Sequence, residues 1–259
     1  MTDDPTLSPG TRPGDPTYRA WVGNPERFDL MSAAQFSLLT QLGLREDHSL
    51  LDLGCGSLRG GRLFIPYLLP DRYFGIEPHA WLVEEGIGHE IGRDQIELKR
   101  PTFAHVDDFR LTVFGRRFDF ILAQSILSHA SQPMIRRCMA EARAALQPGG
   151  RFVATFLEGE EDYRGDEWVY PECVTYRRET FDSLVASEGL VTTALDWPHP
   201  AGQRWVLVTH PGAPVPDLSS GAAWLVEELE ECRATLARLG RSRLYRTYRA
   251  IRGLARRRR

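Results

Sequence analysis

The chain has 259 residues, 42% hydrophobic and 26% charged, which suits one large globular domain or a domain with an appendage. No apolar run approaches the roughly 18–20 residues that a transmembrane helix needs, and the acidic, Pro-rich stretch Met1–Pro16 lacks the apolar core of a secretory signal. The net charge of −3 conceals a division: residues 241–259 hold nine arginines and no acid, leaving residues 1–240 at −12. Cys55, Cys138, Cys173 and Cys232 form no CxxC or Cys/His cluster, so they read as free thiols in a reducing cytoplasm.

Residues 1–17 have the composition of a disordered arm. From Pro25 to Gly43, Leu30, Ala33, Ala34, Leu38 and Leu42 predict a helix that the glycine ends. A strand follows at Ser49–Leu53, then a Gly-rich turn, then a helix from Gly60 to Leu68 stopped by Pro70. Tyr73–Ile76 is a second strand, and Pro78 opens a helix reaching about Ile91. Thr102–Val106 and Phe118–Ala123 are the third and fourth strands, the latter apolar as a buried parallel strand should be. Ile135, Cys138, Met139, Ala142 and Leu146 recur at helical spacing, and the turn Pro148-Gly149-Gly150 leads into a fifth strand, Arg151–Phe156. This alternation argues for a parallel sheet covered on both faces. Glu158–Val174 breaks the rhythm and is too polar for core. A helix at Glu179–Glu188 and two strands, Leu190–Asp196 and Arg204–Thr209, complete the domain. The short link between those strands makes the last one antiparallel. Residues 18–210 thus form the domain, 211–221 a linker and 222–259 a helical, basic tail.

The chemistry concentrates after the first strand, where Leu50 to Gly61 reads LLDLGCGSLRGG. Gly54 and Gly56 let the backbone turn tightly at the carboxyl end of the strand, where ligands of open α/β sheets bind. The dinucleotide fingerprint GxGxxG is not met, because Arg59 occupies its third glycine position. That weakens a nicotinamide-dependent oxidoreductase without excluding it.

The Asp-x-Gly-x-Gly arrangement of Asp52, Gly54, Cys55 and Gly56 resembles the first motif of class I S-adenosylmethionine-dependent methyltransferases. Four further motifs resemble that family in the same order: YFGIE ending in Glu77, then Asp107-Asp108-Phe109, FDFILAQS and LQPGGRFVATF. The resemblance spans about Pro25 to His210. It implies a Rossmann-like seven-stranded mixed sheet in order 3-2-1-4-5-7-6, with strand 7 antiparallel, and S-adenosyl-L-methionine as cofactor. It also implies that Glu77 accepts hydrogen bonds from the ribose hydroxyls and that Asp107, Asp108 and Phe109 lie against the adenine. Gln124, at the end of the fourth strand, joins the cofactor-binding set.

The acceptor is less determined. His129, in the loop after the fourth strand, has a pKa suited to deprotonating a hydroxyl, or else it caps the helix beginning near Ser131. Glu158–Val174, with Glu158, Tyr163, Trp168 and Tyr170, reads as an acceptor lid or as a surface loop. Tyr18 and Trp21 either fold over the cofactor or pack against the domain edge. No acid ends the fourth strand, and the run Glu158–Asp162 reads as a solvated stretch, so no metal is expected. The leading expectation is O-methylation of a small-molecule or glycan hydroxyl. N-methylation or methylation of a natural product comes next, then a non-catalytic domain that binds partners through its tail.

In that tail, Leu225, Leu229, Cys232, Leu236 and Leu239 form a short heptad seam, which packs on the domain or pairs with a second copy in a homodimer. Beyond it, Leu244, Tyr248, Ile251 and Ala255 share one helical face among arginines. Such a segment suits the anionic inner face of a membrane better than nucleic acid, given the acidic body and the absence of an aromatic-studded basic groove.

Overall fold

The computed structural model describes residues 12–216 and 218. The heptad seam and the basic face of the expected tail lie outside the described residues, as do residues 1–11 of the arm. Eight strands form one sheet: β1 (Leu50–Leu53), β2 (Tyr73–Ile76), β3 (Thr102–Ala104), β4 (Phe118–Ala123), β5 (Leu146–Glu158), β6 (Thr175–Tyr176), β7 (Val191–Leu195) and β8 (Arg204–Thr209). Their order is β3-β2-β1-β4-β5-β8-β7, with β6 beside the end of β5. All pairs are parallel except those made by β8, which runs antiparallel to β5 and β7. The connection between β7 and β8, residues 196–203, is too short for any other direction.

Among the described residues seven α-helices flank the sheet: α1 (Tyr18–Trp21), α2 (Phe28–Gln41), α3 (Gly61–Tyr67), α4 (Ala80–Gly86), α5 (Arg93–Lys99), α6 (Gln132–Ala145) and α7 (Arg178–Ser187). β1 and β2 are buried at every position, because helices cover both of their faces. Alternate residues of the strands (Leu51, Leu53, Ile121, Ala123, Phe152, Ala154, Phe156) join Ile135, Cys138, Met139 and Ala142 of α6 and Phe181 and Val185 of α7 in one apolar cluster. Phe156 stacks on Phe181 with ring centroids 4.2 Å apart. On α2, Phe36 meets Phe64 and Tyr67 of α3.

The structure departs from the expected course at four places. β6 is an eighth strand, two residues long, whose pairing to Leu157 and Glu158 returns the Glu158–Val174 loop to the sheet. The helix expected from Pro78 starts two residues later, with extended His79 as its N-cap, and ends in a wider π turn at Ile87–Ile91. α5 then follows Gly92, whose φ of +91° only glycine adopts without strain. The third strand ends at Ala104 rather than Val106, where the chain leaves the sheet toward the site.

Candidate active site

β1 delivers Asp52 and the Gly-rich loop to the carboxyl edge of the sheet. The N–H groups of Gly54 and Cys55 both donate to the Ile76 carbonyl (2.8 and 3.1 Å), which pins the loop to the end of β2. Gly54 and Gly56 have φ of +71° and +53°. A β-carbon on Gly56 would stand 2.5 Å from Cγ1 of Val22, and one on Gly54 would enter the side chain of Ile126. Both conformation and space therefore require glycine here. Cys55 is buried and turns its thiol toward β2, so what it can offer a ligand is backbone. Asp52 accepts a hydrogen bond from the Tyr73 hydroxyl (2.7 Å), and burial pushes its pKa up to about 6.

Glu77, one residue past β2, is buried, and burial raises its pKa. Its two oxygens accept one N–H each, from Gly56 at 3.1 Å and from His79 at 3.0 Å. A carboxylate has about four lone-pair sites. One acceptor position thus remains on each oxygen, the arrangement that a pair of adjacent hydroxyls can use. The neighbouring loop is tied in by His105, whose Nδ1 lies 2.7 Å from the Glu77 carbonyl. Beyond it, Asp107 is exposed, Asp108 is held by Arg137 (2.5 Å from Nε to the Asp108 carbonyl), and Phe109 takes a left-handed φ of +58°. Phe109 faces Trp168 at 6.2 Å.

The loop after β4 carries the groups that could act on an acceptor. The Nδ1 of His129 lies 2.9 Å from the Val169 carbonyl and 2.7 Å from that of Glu172. Carbonyls only accept, so Nδ1 carries the hydrogen and Nε2 keeps its lone pair. Burial lowers the pKa of this ring, which favours the neutral form. The Val169 N–H donates back to the His129 carbonyl (2.9 Å) and the Val174 N–H to that of Ser128 (2.8 Å), so the Glu158–Val174 loop is laced to the β4 loop. His129 lies between the rings of Trp168 (5.4 Å) and Tyr170 (5.2 Å). Beneath, Gln203 donates to Ser125 (2.7 Å) and Ser128 (3.2 Å) and accepts from Thr155 (2.6 Å), a buried polar frame for the loop.

A strap formed by α1 closes the site from above. Trp21 packs against His79 (5.3 Å), Trp81 (5.8 Å) and Tyr170 (5.6 Å), so aromatic contacts run from the β2 loop to His129. The Tyr170 hydroxyl donates to the Trp21 carbonyl. The strap is held from the other side by Glu90, which accepts from Tyr18 (3.0 Å) and pairs with Arg19 (2.6 Å) and Arg62 (3.0 Å).

Asp52, Gly54, Cys55, Gly56, Glu77, Gln124 and His129 therefore converge on one end of the sheet. Asp107 and Asp108 stand farther out, on its rim. Tyr163 packs against the apolar core cluster, its N–H donating to the Thr175 carbonyl (3.0 Å), and Glu158 pairs with Arg204 (2.6 Å). Sequence reasoning passed over four residues that complete the site: Gln35, Arg59, His199 and Val22. Gln35 donates to Oε1 of Gln124 (2.8 Å), and His199 approaches the same amide (3.2 Å). Burial lowers the pKa of His199 to about 4, helped by the charge of Arg59. Among the described residues no group of three or more His, Cys, Asp or Glu side chains is placed to hold a metal ion, and no helix is long and apolar enough to cross a membrane.

Residues 51–152, from β1 into β5, match the model of a family described as a methyltransferase domain. This part of the chain is a methyltransferase domain. The sheet order, with one antiparallel strand beside β5, is that of the class I, S-adenosylmethionine-dependent type. The fold is similar to that of the glycopeptide N-methyltransferase MtfA complexed with S-adenosyl-L-methionine, with a TM-score of 0.53 at 14% identity over 71% of this chain and 95% of that one. DesVI of Streptomyces venezuelae matches with a TM-score of 0.53 at 14% identity, over 73% and 94%. Magnesium protoporphyrin IX methyltransferase from Synechocystis PCC 6803 matches at 0.52 and 12%, over 71% and 86%. At such identities the likeness is one of fold. The free acceptor positions of Glu77 are a donor-ready pair that fits a ribose diol such as that of S-adenosylmethionine.

Proposed function

We propose that this methyltransferase methylates a hydroxyl group of a small molecule or glycan, with His129 as general base. S-adenosylmethionine supplies an already activated methyl on a sulfonium, so the protein's part is to place and deprotonate the acceptor. The observation that carries this reading is the tautomer of His129: two backbone carbonyls take up Nδ1–H, which leaves Nε2 free to accept a proton. His129 would take up the acceptor's O–H proton at Nε2, and the bound cofactor would supply the activated methyl, with a neutral thioether as its leaving group. A burial-lowered pKa keeps the ring ready as a base near neutral pH. Trp168 and Trp81, 41% and 39% exposed, and the rings of Tyr170 and Trp21 offer the flat apolar faces on which a sugar or aromatic ring can lie.

Asp52, Gly54, Gly56, Glu77 and Gln124 form the cofactor-binding set in this reading, with Asp107, Asp108 and Phe109 at its adenine end. His129→Ala is expected to lower turnover about 10²–10⁴-fold while leaving S-adenosylhomocysteine affinity nearly intact. The acceptor is sought by supplying labelled cofactor to hydroxyl- and amine-bearing glycans and small molecules. Label on amines alone, or full turnover without the imidazole, would overturn hydroxyl methylation through His129.

A second reading concerns location. We infer that the arginine-rich residues 241–259 hold the enzyme at an anionic membrane surface, where each basic residue contributes about 1 kcal/mol. The seam at residues 225–239 would then either pack on the domain or pair two copies.

A further inference from the structure

We propose that Arg59 is the anchor for the carboxylate of the cofactor's methionine portion, an assignment that rests on the S-adenosylmethionine reading above. Arg59 lies in the β1 loop, three residues after Gly56, and its guanidinium is enclosed by the strap, the loop and the end of β4. One terminal nitrogen donates to the Val22 carbonyl (2.6 Å) and the other to the Gln124 side-chain oxygen. Both partners are neutral. Its Nε is buried with no hydrogen-bond partner, and among the described residues no carboxylate comes within ion-pair distance of it.

A buried cation without an anion is a costly arrangement, and proteins keep one only where it meets a counter-charge. Burial lowers the pKa of this arginine to about 10 even though Asp52 acts on it in the opposite sense. Asp52 acts on the guanidinium only from beyond ion-pair distance, its carboxylate accepting from Tyr73 instead. The missing anion must therefore be brought in.

Its place follows from the surroundings. Glu77 marks the diol end of the site through its bond from Gly56, and the β1 loop runs from there to Arg59, whose guanidinium reaches Gln124 at the end of β4. A carboxylate is what the far end of an amino-acid side of the ligand presents, and the planar guanidinium donates to it in pairs. The strap contact adds a second consequence. The same guanidinium holds the Val22 carbonyl, so ligand carboxylate and strap share one donor group, and the strap closes over a site whose charge is already balanced.

The test uses the full-length chain and isothermal calorimetry with two ligands, S-adenosylhomocysteine and its carboxyl methyl ester, which keeps the ammonium but loses the negative charge. The wild-type chain is expected to bind the acid about ten- to a hundredfold more tightly than the ester, the range for hydrogen bonds to a charged group. Arg59→Met should lose that preference by losing affinity for the acid alone, and Arg59→Lys should recover part of it. Since both ligands need the folded site, retained ester binding by Arg59→Met also shows that the variant folds. A wild-type chain that binds neither ligand overturns the S-adenosylmethionine reading itself. A wild-type chain that binds both alike, or a variant weakened equally for both, overturns the assignment of Arg59 and leaves it as a clamp on the strap.

Discussion

Replacing Asp52 by Asn is expected to stabilise the ligand-free protein at neutral pH and to flatten its acid-side stability profile. The magnitude follows from burial. Enclosure raises the Asp52 pKa from the usual 3.8 to about 6, against the opposing hydrogen bond from Tyr73. A native pKa above the unfolded one means that the folded state binds the proton more tightly. The ionised carboxylate therefore costs nothing below about pH 4 and progressively more as the pH rises to 6, reaching about 3 kcal/mol. Asparagine keeps an oxygen for the Tyr73 hydroxyl and has no charge to bury. Urea unfolding of both proteins at pH 4, 5, 6 and 7 would give the difference directly. The wild type should lose about 3 kcal/mol relative to Asp52→Asn between pH 4 and pH 7. An equal difference at every pH would refute the reasoning, because it would mean that the carboxylate titrates normally in the folded protein.

Gly56→Val should place a β-branched residue at φ +53° and drive its Cβ into Val22, a backbone strain of about 1–2 kcal/mol before any clash is counted. Its expected signature is a lowered Tm with S-adenosylhomocysteine affinity lost, and calorimetry showing unchanged affinity would exclude the β1 loop as the cofactor cradle. Removing residues 240–259 should abolish salt-sensitive flotation with anionic vesicles and leave turnover on a soluble acceptor unchanged. Flotation that survives the truncation, or transfer of the tail's binding from vesicles to RNA, would reject the membrane reading.

Much of this arrangement could be read along the chain, and the reasons are physical. β1, β2 and β4 are buried along nearly their whole length, so their runs are mostly apolar, and those of β1 and β2 end at Gly54 and Glu77. The Gly54 and Gly56 positions show in sequence because left-handed backbone leaves few other choices. α5 gave no such signal, since none of its residues is buried and an exposed helix needs no apolar period. β6 is two residues long, below the length at which alternation can be counted. Arg59 was visible only as the residue that breaks the dinucleotide fingerprint. Its burial depends on Val22, thirty-seven positions earlier, and on Gln124, sixty-five later. His199 sits in a short link between strands, where a histidine carries no pattern, and only the fold brings it to Gln124.

The site without ligand is a set of charges held against their preference. Asp52 and Glu77 have raised pKa values, Arg59 a lowered one, and burial is the leading cause for each. S-adenosylmethionine carries two positive groups, the sulfonium and the ammonium, besides its carboxylate. Bringing cations next to buried carboxylates favours their ionised forms and lowers their pKa values. Near pH 6 Asp52 is about half protonated, so cofactor binding should expel about half a proton from it. At pH 7.5 Asp52 is already ionised, and its release should vanish. Calorimetric titrations in two buffers of different ionisation enthalpy measure this number: the apparent binding enthalpy should depend on the buffer at pH 6 and become independent of it at pH 7.5. Proton uptake at pH 6, or no buffer dependence at either pH, would mean that the bound cations do not reach the carboxylates, and the orientation that puts the methionine portion along the β1 loop would have to be reversed.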